Sequence, residues 1–147
     1  MDPIIEIIEG VTVTPLRIIN HPKGDIYHVL KSSEESFVEF GEAYFTSINK
    51  DEIKGWKKHI NMVMNLVVPT GEVRFYFINE KSGNSSYIDV GLSNYVRLTV
   101  GPGIWMAFKG LYDDVNLVLN ISNLVHEPNE SINSNLDLFP IDKIKNK

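Results

Sequence analysis

Short apolar stretches rich in Val, Ile, Phe and Tyr recur along this chain, separated by polar turns that contain Gly, Pro, Asn and Ser. This pattern is typical of β-strands, and apolar residues at helical spacing are scarce. We predict strands at residues 4–8, 11–19, 25–30, 37–48, 53–61, 63–68, 72–78, 87–92, 95–100, 104–108 and 116–121. So many short strands indicate one all-β domain, built as a sandwich or a barrel.

The turn Val68-Pro69-Thr70-Gly71 separates two of these strands. Proline presets φ and glycine accepts a positive φ, so the turn favours a reversal of the chain. We therefore predict that residues 63–68 pair with residues 72–78 as a β-hairpin. Beyond residue 121 the sequence becomes polar, and we expect the tail from about 136 to 147 to be flexible.

Composition and charge exclude several classes of protein. The chain has no cysteine, which excludes disulfides and thiolate chemistry and favours a cytoplasmic location. The net charge of −5 argues against a protein that coats nucleic acid. Neither a leader-like N-terminus nor an apolar run of roughly 18 residues is present, so we expect no membrane partner.

Titratable side chains are concentrated in the run Ile53-Lys54-Gly55-Trp56-Lys57-Lys58-His59-Ile60-Asn61. In a strand with strict alternation, one face carries Gly55, Lys57, His59 and Asn61. The opposite face then carries Lys54, Trp56 and Lys58. A solvated sheet edge can have the same composition, so alternation alone leaves a site and an edge both open.

The order of motifs around this run resembles that of the cupins. Cupins have a glycine, a His-x-His strand, a Pro-x-Gly turn and a later Pro-Gly-x-x-His segment. The matching residues here are Gly55, Lys57-Lys58-His59, Pro69-Thr70-Gly71 and Pro102-Gly103-Ile104-Trp105-Met106. Lys57 and Met106 occupy two of the three histidine positions, and residues 60–66 offer no carboxylate. One imidazole beside an ammonium group holds a transition metal poorly, so we expect no metal and no other cofactor.

Over roughly residues 20 to 130 the chain resembles the metal-free dTDP-4-dehydrorhamnose 3,5-epimerase family and its relatives in cell-surface polysaccharide pathways. Four runs carry this resemblance. Residues 22–30 resemble the early Arg-Gly-aromatic strand, residues 40–47 the substrate-lining strand, Ile53-Lys54-Gly55-Trp56 the Leu-Arg-Gly-Leu run, and residues 94–108 the Leu-x-Ile-Pro-x-Gly-x-x-His-Gly-Phe run. The resemblance implies a cupin jelly-roll barrel that spans residues 1–147 as a single domain.

The resemblance also implies an isomerase. Such an enzyme epimerises a nucleotide-linked 4-keto-6-deoxy hexose or heptose by removing a proton next to the ketone, for example in lipopolysaccharide biosynthesis. Two alternatives stay open, a non-catalytic sugar-nucleotide-binding cupin and a 3,4-ketoisomerase. The ketoisomerase run Arg-Gly-x-His-Ala-His matches here only in its final residue, His59. In the epimerases a catalytic tyrosine follows the last core strand, and residues 121–126 contain none.

This chemistry assigns roles to residue types. His59 is the expected base, because an unperturbed imidazole has a pKa near neutrality. Lys57, on the same strand face, is expected to stabilise the enolate. The acid is expected to be Tyr44 or Tyr76, which fall on strands flanking the presumed cavity.

Substrate binding is expected to draw on several further residues. The pyrophosphate of a nucleotide sugar favours cationic side chains, and the candidates are Lys54, Arg74 and Arg97. The remaining candidates are Trp56 and Trp105 as stacking surfaces, Glu42 from the substrate-lining run, and Asn61 beside His59.

Two further features bear on the site and on assembly. The segment Glu127-Pro128-Asn129-Glu130 caps a late turn, and its carboxylates can also orient a base in a barrel. The apolar strand near residues 4–8 offers an unpaired edge that a second chain can cover, so we expect a homodimer.

Overall fold

The structure is a computed structural model that describes residues 3–146. Within these residues the chain forms thirteen β-strands and three short 3₁₀ helices, and none of these helices could serve as a membrane span. The strands are β1 (Ile5–Ile8), β2 (Val11–Pro15), β3 (Ile18–Ile19), β4 (Ile26–Tyr27), β5 (Glu42–Ser47), β6 (Ile53–His59), β7 (Met64–Thr70), β8 (Glu72–Asn79), β9 (Asn84–Gly91), β10 (Val96–Val100), β11 (Ile104–Gly110), β12 (Leu117–Ser122) and β13 (Ser131–Asn133). The 3₁₀ helices are Pro128–Glu130, Leu136–Leu138 and Ile141–Lys143.

Two antiparallel sheets face each other across the core. One has six strands in the order β1-β2-β10-β7-β12-β5, and the other has five in the order β13-β6-β11-β8-β9. The strands β3 and β4 form a separate small ribbon. The predicted all-β jelly-roll barrel is confirmed, and both sheets contribute to one core.

Alternation along the strands determines which side chains enter this core. On β8 the residues Val73, Phe75 and Phe77 face inward and are fully buried. From the opposite sheet, Leu66 and Leu98 pack into the same cluster. Burial of each such side chain contributes about 1.5–3 kcal/mol, which makes the facing sheets the main source of stability.

The predicted hairpin between residues 63–68 and 72–78 is wrong. β7 pairs with β10 and β12, whereas β8 pairs with β9 and β11 in the other sheet. The chain crosses between the sheets at Gly71, which has a φ of 82°. Asn116 fixes this corner, because its Oδ1 accepts from the Glu72 amide at 3.0 Å and from the Tyr112 amide at 3.1 Å. A side chain at Gly71 would clash with Val115 O, 2.4 Å from the position of a Cβ.

The C-terminal segment covers the outer face of the five-stranded sheet. The Phe139 ring lies 5.5 Å from the Trp56 ring and 6.1 Å from the Trp105 ring, and Ile144 is buried in the same cluster. Flexibility of the tail from about 136 stays a prediction, and its last residue, Lys147, lies outside the described residues.

Candidate active site

A cavity of about 270 Å³ lies between the two sheets. Its apolar wall is formed by Met64, Leu66, Phe75, Met106, Phe108 and Val118. Its polar wall is formed mainly by Tyr44, Lys54, Lys57, His59, Asn120 and Asn133. The barrel therefore holds a pocket whose polar groups come from both sheets.

The strand β6 brings three cationic or titratable side chains to this cavity. Lys57 pairs with Met106 on β11, and Lys54 pairs with Phe108, so β6 has one more residue than β11 between these two pairs. This bulge turns Lys54 to the cavity face, whereas strict alternation had placed it on the opposite face with Trp56 and Lys58. At Gly55 a Cβ would lie 2.4 Å from Ala107 Cβ, so the close approach of the two strands requires glycine.

His59 and Glu130 form a buried pair beside the cavity. His59 Nδ1 lies 2.9 Å from Glu130 Oε1, and the two side chains are 10% and 9% exposed. The other carboxylate oxygen of Glu130 accepts from the Asn61 amide at 2.6 Å. Glu130 ends a 3₁₀ helix, and the next residue, Ser131, pairs with His59 across β13 and β6. The Asn61 amide and the strand pairing of Ser131 therefore hold the Glu130 carboxylate beside the His59 ring.

The surroundings of this pair set its protonation. Burial lowers the pKa of His59, although the hydrogen bond and charge of Glu130 oppose the shift. Burial alone would raise the pKa of Glu130, but the hydrogen bonds from the Asn61 amide and from His59 leave it lowered. A neutral imidazole beside a carboxylate donates its Nδ1 proton and leaves the Nε2 lone pair free. His59 can therefore accept a proton at Nε2.

Tyr44 and Asn120 lie in the opposite sheet, on β5 and β12. The Tyr44 hydroxyl accepts from Asn120 Nδ2 at 3.1 Å. Tyr44 is 48% exposed, and its partial burial raises the pKa of a hydroxyl that is already protonated at neutral pH. The cavity thus has an imidazole in one wall and a protonated phenol in the other.

The two lysines at the cavity, Lys54 and Lys57, differ in their surroundings. Lys54 Nζ donates to Ser47 O at 2.8 Å and to Thr46 Oγ1 at 3.3 Å. Lys57 is exposed and contributes to the cavity wall. Two ammonium groups next to an apolar pocket can bind an anionic ligand whose body occupies the pocket.

Three of the expected site residues lie on the outer face of the five-stranded sheet. Tyr76 packs against Tyr87, Arg74 pairs with Asp89 at 2.7 Å, and Trp105 donates its indole proton to Glu80. The prediction that Tyr76 lines the cavity is wrong, because Phe75 and Phe77 occupy the inward positions of β8.

Four more expected residues have contacts of their own. Arg97, on the outer face of the six-stranded sheet, is 1% exposed and pairs with Glu34 at 2.7 Å. Glu42 accepts from the His126 amide at 2.9 Å. Asn61 contacts Glu130 through its backbone amide, and Trp56 borders the cavity while its ring packs against Phe139.

Asn120 and Asn133 are among the polar residues of the cavity wall that the sequence interpretation missed. Asn120 occupies an inward position of β12 between Val118 and Ser122. Alternation along that strand could therefore have predicted that its side chain points into the barrel. Asn133 reaches the cavity through the pairing of β13 with β6, which no local pattern indicates. Within residues 3–146 no three His, Cys, Asp or Glu side chains cluster as a metal site would require. The expectation that no metal binds stays a prediction.

Solved structures with a similar fold include enzymes that act on nucleotide-linked sugars. A dTDP sugar isomerase from Desulfovibrio desulfuricans G20 has 27% identity and a TM-score of 0.85, with 93% of this chain and 90% of that chain covered. A dTDP-6-deoxy-D-glucose-3,5-epimerase from Legionella pneumophila, in complex with dTDP-4-keto-L-rhamnose, has 13% identity and a TM-score of 0.79 over 91% and 78% of the two chains. This chain shares their cupin fold.

A third structure extends the comparison within this fold. A 3,4-ketoisomerase from Thermoanaerobacterium thermosaccharolyticum, in complex with TDP-4-keto-6-deoxyglucose, has 16% identity and a TM-score of 0.75 over 89% of this chain and 91% of that one. No family model and no curated protein matches the sequence. The resemblance predicted from the sequence motifs is thus confirmed by structural similarity.

Proposed function

We propose that this protein is a nucleotide-sugar epimerase that acts on a 4-keto-6-deoxy hexose or heptose by removing a proton next to the ketone. The observation that carries the proposal is the buried pair of His59 and Glu130 facing Tyr44 across the cavity. Similarity to dTDP-sugar isomerases and epimerases supports the same chemistry.

The first step in this proposal uses the wall formed by β6. His59 Nε2 takes the proton from the carbon beside the ketone. The electron pair of that C–H bond forms the C=C bond of an enolate, and the π electrons of the carbonyl move to the oxygen. Glu130 stabilises the imidazolium that results. Lys57 lies on the same face of β6 and stabilises the enolate oxygen by its charge. The step needs no metal.

The second step uses the opposite wall. Epimerisation requires that the proton return from the other face of the sugar ring, and Tyr44 belongs to the sheet opposite His59. Tyr44 therefore takes the acid role, which suits a chain without a tyrosine among residues 121–126. Lys54, at the same cavity, is the group we assign to the pyrophosphate.

A 3,4-ketoisomerase is the second candidate. The observation that favours it is His59, which matches the final histidine of the ketoisomerase run, together with the similarity to the enzyme bound to TDP-4-keto-6-deoxyglucose. In that reaction the ketone moves from C4 to C3. A base on one face of the ring can take the proton from C3 and deliver it to C4, while the proton of the C3 hydroxyl passes to the oxygen at C4.

One experiment separates these functions from each other and from simple binding. The protein is incubated with TDP-4-keto-6-deoxyglucose in D₂O and the sugar is followed by NMR. We expect deuterium at C3 or C5 with inverted configuration. A 3-keto product would establish the ketoisomerase, and tight binding without exchange would establish a non-catalytic cupin.

The cellular setting is part of the proposal. A nucleotide-linked keto sugar is the proposed ligand and reactant, and we assign the protein to the biosynthesis of cell-surface polysaccharide such as lipopolysaccharide. Activated sugars of this kind are made in the cytoplasm, and the absence of cysteine is consistent with that compartment.

We also propose that the protein is a homodimer. β1 lies at an edge of the six-stranded sheet, and its neighbourhood exposes Ile4 and Ile5 to 65% and 54%. An apolar strand with unpaired backbone groups is a usual site of association between copies. We expect light scattering to give twice the chain mass at micromolar concentration, and Ile5→Lys to shift the protein towards monomer. A wild-type monomer under these conditions would contradict the proposal.

A further inference from the structure

Asn120 is a polar residue of the cavity wall to which the proposed reaction gives no role. It lies on β12 and is 6% exposed. Its Nδ2 donates to the Tyr44 hydroxyl at 3.1 Å and lies 3.5 Å from Met64 Sδ. Within the described residues its Oδ1 is buried and has no hydrogen-bond partner.

A contribution to stability does not explain this residue. A buried carbonyl oxygen without a donor lowers the stability of the folded chain, because it loses its hydrogen bonds to water. A leucine has the same branching at Cγ and would pack against the apolar wall without that cost. The presence of asparagine is therefore explained by the hydrogen bond that Nδ2 donates.

That hydrogen bond determines what the Tyr44 hydroxyl can do. Because the hydroxyl oxygen accepts from Asn120, its own proton remains available for an acceptor in the cavity. Once the proton has left, the bond from Nδ2 becomes a charge-assisted bond to a phenolate and strengthens. Burial raises the pKa of Tyr44, and the hydrogen bond from Asn120 opposes that rise.

We propose that Asn120 is a positioning residue that holds the Tyr44 hydroxyl as a proton donor towards the sugar in the cavity. The inference rests on the proposed function and deepens it. In the step concerned, the electron pair of the enolate forms a C–H bond with the Tyr44 proton. The electrons of the O–H bond stay on the phenolate oxygen, which Asn120 stabilises. Before the next turnover, solvent restores the proton of Tyr44 and takes up the proton that His59 holds.

The test compares Asn120→Leu, Tyr44→Phe and the double variant, with TDP-4-keto-6-deoxyglucose as substrate. We expect formation of the epimer to fall roughly tenfold in Asn120→Leu and roughly a hundredfold in Tyr44→Phe. The double variant should be no slower than Tyr44→Phe, because Asn120 acts through Tyr44. Exchange of the substrate proton with D₂O depends on His59 and should persist in all three.

Two further measurements separate this role from a structural one. The melting temperature of Asn120→Leu should equal or exceed that of the wild type, whereas loss of a structural hydrogen bond would lower it. The pKa of Tyr44, measured by ultraviolet titration against Tyr44→Phe, should rise in Asn120→Leu. Ser122→Ala is the matched control, since it removes another buried polar group from β12 outside the cavity wall and should leave turnover unchanged.

Multiplicative losses in the double variant would overturn the inference, and so would an unchanged Tyr44 pKa in Asn120→Leu. Failure of the proposed function gives a different result. A wild-type protein that exchanges no proton of the 4-keto sugar would refute the epimerase, while the ultraviolet titration would still decide whether Asn120 controls Tyr44.

Discussion

Replacement of His59 by asparagine should leave the barrel folded and reduce turnover of a 4-keto nucleotide sugar roughly a hundred- to ten-thousand-fold. The side chain borders the cavity and belongs to neither apolar cluster, so its loss should affect chemistry more than packing. Asparagine keeps a polar group near Glu130 but cannot accept a proton at neutral pH. The measurements are the rate of epimer formation and the rate of deuterium exchange, both expected to fall.

The effect of His59→Asn is compared with that of Lys57→Ala, which lies on the same face of β6. We expect it to slow turnover through the enolate while the pH profile of proton transfer keeps its shape. Undiminished exchange in His59→Asn, combined with lost exchange in Lys57→Ala, would reverse the two roles. If neither substitution changed the rate, the chemistry would have to lie elsewhere than on β6.

Replacement of Glu130 by glutamine should reduce turnover roughly ten- to a hundredfold. A residue that hydrogen-bonds to a functional histidine and orients its ring typically contributes this much to activity. The pH profile should also move. Glu130 raises the pKa of His59 against the effect of burial, so its neutralisation lowers that pKa. Activity requires the neutral imidazole, and it is lost as the pH falls through the pKa of His59. The acid limb should therefore shift to lower pH in the variant.

Glu127→Gln is the matched control for this experiment. Glu127 lies in the same turn and is exposed, and the same change in charge there should leave the rate and the pH profile as in the wild type. If the acid limb moved to higher pH in Glu130→Gln, Glu130 would not be raising the pKa of His59 as we infer. An unmoved limb would mean that another group controls activity.

The parts of the site that the sequence could predict are those that depend only on the alternation of side chains along one strand. Lys57 and His59 share a face of β6 as period-two spacing requires, and both line the cavity. On β8 the same periodicity separates Arg74 and Tyr76 from Phe75 and Phe77. It does not state which set faces the core, and the phenylalanines take the interior because their burial is more favourable.

The remaining parts depend on contacts between distant segments. Lys54 enters the cavity because of a bulge against β11, and no feature of residues 53–61 specifies the register of that pairing. Glu130 reaches His59 through the pairing of β13 with β6, across 71 positions in the sequence. Turn chemistry at Gly71 predicts a change of direction but does not name the strand that becomes the partner.

The crossing at Gly71 also bears on the order in which the chain folds. β8 and β9 form a local hairpin, a structure that closes within about 1–10 μs. β7 has no such neighbour, because its partners β10 and β12 lie far along the sequence and require large loops to close first. Met64 to Val68 are buried on both faces in the folded barrel, so until those partners arrive they expose a strand that is apolar except at Asn65. We therefore expect partly folded chains in which β7 is still unpaired to be prone to aggregation through this strand.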